Sequence, residues 1–194
     1  MAKVFWKPGA LLCPVPVVLV TCGTVKEANA VTVAWTGIVN SEPPMTYISL
    51  RPSRFSHEII SKTGEFTINL VSEGMLRKTD SCGVYTGRKV NKIKTFSLTP
   101  EKGQVIAAPT LKESPLSLEC RVTEIKPLGS HDLFLAQIVS VDVEEKFVDE
   151  NGKLDLRQAD LVAYSHGDYL KLGRKLGSFG YSVKKTRPPQ KKKD

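Results

Sequence analysis

The chain has 194 residues, 41% of them hydrophobic and 25% charged, which suits one domain of ordinary size with a core of its own. Its formal net charge of +8 is concentrated at one end: residues 184–194 hold six Lys or Arg and one Asp, which leaves +3 on residues 1–183. A nearly balanced globule lacks the basic face that nucleic-acid binding needs, so nucleic acid or another acidic partner is expected only as a ligand of the tail.

Lys3 and Lys7 precede an apolar stretch, Ala10 to Thr21, in the manner of a secretory leader. Pro14 and Pro16 interrupt it, and it is too short to span a bilayer. A cytoplasmic protein is expected. The four cysteines, Cys13, Cys22, Cys82 and Cys120, form no C-x-x-C pair, and His57, His131 and His166 are not at zinc-ligand spacing. A reduced intracellular setting without a metal site or disulfide framework follows.

Strand patterns dominate the chain. Val17–Cys22 is an apolar run, and Ala30–Trp35 alternates Val31, Val33 and Trp35 against Thr32 and Ala34. Met45–Leu50 is apolar and β-rich, and Pro52 stops it while suiting the entry to a helix. A helix is predicted over Ser53–Thr63, with Ser53 as N-cap, Phe55, Ile59 and Ile60 on one face, and Gly64 as its stop.

That junction gathers donors. The first turn of a helix carries free N–H groups and a positive dipole end, here flanked by Arg51, Arg54, Ser53 and Ser56. These are the groups that hold a phosphate monoester. Arg51, at the strand end, is expected to matter more than Arg54, which is expected to face solvent. From this segment alone, a capped helix with solvated arginines is the simpler reading.

Further along, Glu65–Val71, Ser117–Thr123 and Leu133–Val143 read as strands. Glu73–Cys82, Asn91–Phe96 and Tyr169–Leu176 read as helices, and 184–194 as a disordered tail on a single domain spanning 1–183. Several antiparallel strands with few helices and no βαβ rhythm predict a mainly β fold, a closed or partly closed barrel with peripheral helices. No dinucleotide-binding glycine motif, P-loop, H-E-x-x-H or G-x-S-x-G is present, so the fold classes that carry them are disfavoured.

The segments Asn29-Ala-Val-Thr-Val-Ala-Trp-Thr36, Pro43-Pro44, Tyr47-Ile-Ser-Leu-Arg-Pro-Ser-Arg-Phe-Ser56 and Gly64-Glu-Phe-Thr-Ile-Asn69, in this order, resemble the flavin reductase-like, FMN-binding split-barrel family, flavoredoxin type. Cys82-Gly-Val-Tyr-Thr-Gly-Arg88, Asn91-Lys92 and Leu176-Gly-Ser-Phe-Gly-Tyr-Ser182 extend the likeness, which runs from about Pro16 to Lys185.

The resemblance implies a six-stranded antiparallel split barrel and a homodimer with one FMN per subunit near the interface. It implies that Asn29, Ala30, Val31, Thr32, Ala34, Trp35 and Thr36 edge the flavin ring, mostly by main chain. Ser49, Leu50, Arg51, Ser53 and Ser56 would surround the phosphate, with Lys92 closing over it. This coincides with the anion site read from the residues alone, and the two together favour FMN.

Other positions stay open at the sequence level. Trp35 shields the flavin or is plain core; Asn69 faces the ribityl chain or caps a loop. Cys82 approaches the ring or is structural, and a reactive role needs a depressed thiol pKa. His131 stands near the nicotinamide or flavin as a catalytic candidate, or is an exposed loop histidine, and His57 is expected to be solvated. The function implied is an FMN-dependent oxidoreductase fed by NAD(P)H or a small redox protein. The alternatives are a non-enzymatic FMN electron carrier and a polyanion binder using the tail.

Overall fold

Residues 1–183 are described by the computed structural model; the basic segment 184–194 lies outside the described residues. The first half of the chain runs through β1 (Val15–Pro16), β2 (Val18–Cys22), β3 (Asn29–Val33), β4 (Thr36–Ser41) and β5 (Pro44–Leu50). Helix α1 (Phe55–Thr63) leads into β6 (Glu65–Leu70), and a 3-10 turn opens α2 (Leu76–Val84), followed by α3 (Lys92–Thr95). Short strands β7 (Pro100–Glu101) and β8 (Thr110–Leu111) precede the long hairpin of β9 (Leu116–Pro127) and β10 (Asp132–Val143). The hairpin of β11 (Val162–Ser165) and β12 (Asp168–Lys171) comes last.

The main sheet has the order β3-β2-β6-β9-β10-β5-β4, and every neighbouring pair is antiparallel. Its two edge strands, β3 and β4, are consecutive in the chain and separated only by Ala34 and Trp35. Counted as one bent strand, they join the two edges, and six strands close on themselves as a split barrel. At the bend, the Ser49 amide donates to the Trp35 carbonyl at 2.9 Å.

The barrel interior holds Val18, Val20, Val31, Ile48, Phe66, Ile68 and Phe134, all buried. Each such side chain contributes on the order of 1.5–3 kcal/mol on burial. Strand β2 is buried along its whole length because its outer side chains, Leu19 among them, are covered in turn by Met75 and Cys82 of the α2 region. That double covering is why its sequence, VLVTC, is apolar at every position but Thr21 and shows no alternation.

Several local expectations are corrected. The strand expected to run to Trp35 ends at Val33, and Thr36–Ser41 forms an unforeseen strand, β4, whose side chains are mostly exposed and so leave little pattern. The helix expected over Tyr169–Leu176 is absent: Asp168–Lys171 is β12, paired with β11 across a turn in which His166 and Gly167 both have positive φ. Helix α1 starts one residue after Arg54, which is its N-cap and makes no side-chain cap bond, so Ser53 does not cap it. Its stop is as expected: Gly64, at φ +69°, donates its amide to the Ile60 carbonyl at 2.8 Å.

Candidate functional site

Strand β5 delivers Ser49, Leu50 and Arg51 to one side of a cleft of about 310 Å³. Its opposite side is the bent main chain from Val31 to Trp35, with Gly83 of α2 beneath. The β9–β10 loop contributes His131, and the β11–β12 hairpin contributes Tyr164 and Tyr169.

The two ends of the cleft differ. One carries Arg51 and Arg54, and Arg54 Nη1 is steadied by the Gly83 carbonyl at 3.1 Å. Partial burial, and then the guanidinium groups of Arg51 and Arg54, push the His131 imidazole below its ordinary value and favour the neutral ring. Its Nδ1 lies 2.9 Å from the Ser130 hydroxyl, which leaves Nε2 for a ligand. The other end is aromatic. Trp35 is tilted against Tyr164 at 6.5 Å, and Tyr164 meets Tyr169 at 5.7 Å. The Tyr169 hydroxyl donates to Asp80 Oδ1 at 2.9 Å; burial and that carboxylate push its pKa up to about 12.

Of the residues named from the sequence, Val31, Thr32, Ala34, Trp35, Ser49, Leu50, Arg51 and His131 come together here. Trp35 is not core: it is 44% exposed and forms a wall. Thr32 is partly committed, its hydroxyl donating to the Thr79 carbonyl.

The others do not line this cleft. Asn29 and Ser56 are buried against each other, with Asn29 Nδ2 donating to Ser56 Oγ at 2.7 Å. Thr36 Oγ1 donates to the Tyr47 carbonyl at 2.6 Å, and Ser53 is exposed on the turn before α1. Asn69 does not reach the cleft. It is fully buried, donating to the Leu19 carbonyl at 2.9 Å and Thr21 Oγ1 at 3.0 Å while accepting from the Leu111 amide and Ser117 Oγ.

Cys82 is buried, and burial pushes its thiol up to about 11 against the opposing pull of Lys92, the reverse of an activated nucleophile. Lys92 donates to the Ala30 and Cys82 carbonyls at 2.8 and 2.7 Å, which leaves one N–H of its ammonium for any ligand. Burial pushes that ammonium below the ordinary lysine range.

Sequence reasoning named Arg54 among the phosphate donors but ranked it below Arg51, and it did not name Tyr164, Tyr169 or Gly83. Arg54 turns into the cleft instead of toward solvent, and both tyrosines lie on the β11–β12 hairpin, whose second strand reads as a helix from sequence alone. Among the described residues no three His, Cys, Asp or Glu side chains are grouped to hold a metal ion, and no helix is long and apolar enough to cross a membrane.

A family model described as flavin reductase like domain matches residues 10–173. The chain therefore belongs to the flavin reductase-like family. Among solved structures it is similar to flavoredoxin of Desulfovibrio vulgaris (Miyazaki F), with 27% identity and a TM-score of 0.86 over 94% of this chain and 100% of that one. Flavoredoxin of Methanosarcina acetivorans is 30% identical with a TM-score of 0.84, at the same coverages. An uncharacterized protein of Archaeoglobus fulgidus is 30% identical over 156 residues, 80% of this chain and 86% of that protein. Family membership and these likenesses support flavin binding and a flavin-related oxidoreductase role.

Proposed function

We propose that the chain is an FMN-dependent oxidoreductase, working as a homodimer, that takes electrons from NAD(P)H or a small redox protein and passes them to an acceptor. The observation that carries this reading is the composition of one cleft. Two guanidinium groups and an uncapped helix start stand at one end, aromatic rings at the other, and five residues of bent main chain run between them. Such a set suits a flat ring bearing one phosphate monoester, since guanidinium groups pair with phosphate and free amides at a helix start attract it. One cationic end argues for FMN over a dinucleotide.

When bound, the flavin supplies the redox chemistry itself. The chain's own residues bind and orient. Arg51 and Arg54 hold the phosphate, while the main-chain groups of Val31–Trp35 set the ring's edge. Trp35 and Tyr164 keep water from the aromatic end. His131, in its neutral form, offers Nε2 as one hydrogen-bonding position. No side chain has to act as a general acid or base. The homodimer is supported by large apolar side chains left in solvent at both ends of the described chain: Phe5, Trp6, Leu176 and Phe179.

Stopped-flow mixing of the flavin-loaded protein with NADH and with NADPH tests the donor, with sedimentation of the same sample for the dimer. Rapid loss of the visible flavin absorbance is expected with at least one nucleotide. Flavin that stays oxidised with both contradicts the nicotinamide branch and favours an electron carrier.

A further inference from the structure

A second cleft, of about 340 Å³, lies across Trp35 from the first and shares Ala34, Trp35 and Ser49 with it. Its floor is the outer face of β5 and β10, where Tyr47 and Ser49 stand two residues apart on one strand and Leu133 pairs with Ser49. The N-terminal segment Gly9–Leu12 forms its roof.

The two clefts differ in charge. Arg51, Arg54 and His131 line the first; no charged or imidazole side chain lines the second. Its polar side-chain groups are three hydroxyls and the indole N–H of Trp35. Thr36 Oγ1 is committed to the Tyr47 carbonyl at 2.6 Å. The hydroxyls of Tyr47 and Ser49 have no hydrogen-bond partner among the described residues, where every buried side-chain N or O atom has one, so both remain open to a ligand.

We propose that this cleft binds a neutral, flat carbonyl compound of the quinone type. Its place beside a flavin rests on the function proposed above; the binding itself rests on the chemistry of the cleft. Moving an anion out of water into a space without cations is costly, which disfavours phosphates, nicotinamide dinucleotides and carboxylates. A carbonyl oxygen accepts from the free hydroxyls of Tyr47 and Ser49, and a flat ring lies against the indole of Trp35 under Leu11 and Leu12. The volume and the few polar groups fit a small organic ligand.

Isothermal titration of the full chain with duroquinone tests this. The ring carbons of duroquinone are fully substituted and do not add thiols, and tetramethylbenzoate serves as an anionic counterpart of similar size. Saturable duroquinone binding is expected, at least tenfold tighter than the benzoate. Tyr47→Phe, which removes one hydroxyl, should weaken it about tenfold. Leu12→Asp, which puts a charge into the lining of the cleft, should weaken it by a similar factor.

Absence of saturable binding overturns the inference, as do equal affinities for the two probes or parental affinity in both variants. Flavin content measured on the same samples separates the two readings. A flavin-loaded protein that ignores duroquinone overturns this inference alone. Duroquinone binding in a protein that never takes up flavin overturns the proposed function alone.

Discussion

His57 Nε2 stands 2.8 Å from Asp132 Oδ2, and the contact joins the first turn of α1 to the first residue of β10. Both side chains are 16% exposed, and the imidazole meets Phe134 edge-on at 5.0 Å. Asp132 follows His131 and pairs across the sheet with Leu50, the residue before Arg51. The pair therefore closes a ring of structure around the cationic end of the cleft and holds Arg51 and Arg54 in register with His131.

Alanine at His57 or Asp132 should each cost about 1–3 kcal/mol, because each leaves the other group with its hydrogen bond unmade in a mostly buried place. In a double-mutant cycle followed by urea unfolding, the coupling should be about 1–2 kcal/mol. A coupling indistinguishable from zero would show that the contact is incidental.

Arg54 should matter to cofactor binding as Arg51 does. It is the less exposed of the two and is steadied by the Gly83 carbonyl. A charge-assisted phosphate contact is worth roughly 1.5–3 kcal/mol, so Arg54→Ala and Arg51→Ala should each weaken FMN binding about tenfold to hundredfold. Fluorescence titration of the flavin measures it. Parental affinity in Arg54→Ala would restrict the phosphate contact to Arg51.

Glu119 should make the fold sensitive to acid. It is fully buried on β9 and accepts the amides of Gln104, Val105 and Ile106 at 2.6, 2.8 and 2.9 Å. Gly103 lets the loop come this close, since a Cβ there would stand 2.8 Å from the carboxylate. Burial pushes the carboxyl up, the three amides pull it down further, and the net value lies below the ordinary glutamate range. A lowered pKa adds stability above the ordinary value, and that stability fades as pH falls below it toward the native one. Urea unfolding of the parent should therefore weaken as pH drops through and below the glutamate range. Glu119→Gln should be less stable at neutral pH and less dependent on acid. Parallel pH profiles for the two proteins would contradict this.

The barrel was legible wherever a strand has two different faces or none exposed. Phe66 and Ile68 alternate with Thr67 and Asn69, and Val17–Cys22 is apolar except for Thr21 because both its faces are covered. Strand β4 was not legible, since edge position and exposure leave Gly37–Ser41 without a pattern. The helix expected at Tyr169 shows the limit of short apolar runs: Tyr169 and Leu170 suit either state, and the turn at His166–Gly167 decides it. At the site, the strand–helix junction pointed to Arg51 and the family resemblance to Ser49 and Trp35, and all three line the cleft. Asn69 does not line the cleft, and its amide finds five partners inside the protein. Tyr164 reaches the cleft only through a hairpin more than a hundred residues away in sequence, which local pattern does not convey.

The identity of the flavin carried by the purified full-length protein is the most direct test of the account. The visible spectrum, followed by denaturation and mass analysis of the released cofactor, should show a yellow protein that yields FMN. The Arg51→Ala, Arg54→Ala double variant should yield a folded protein with little or none. A colourless protein that takes up no added FMN, or one that releases FAD alone, would contradict the assignment of the Arg51–Arg54 cleft.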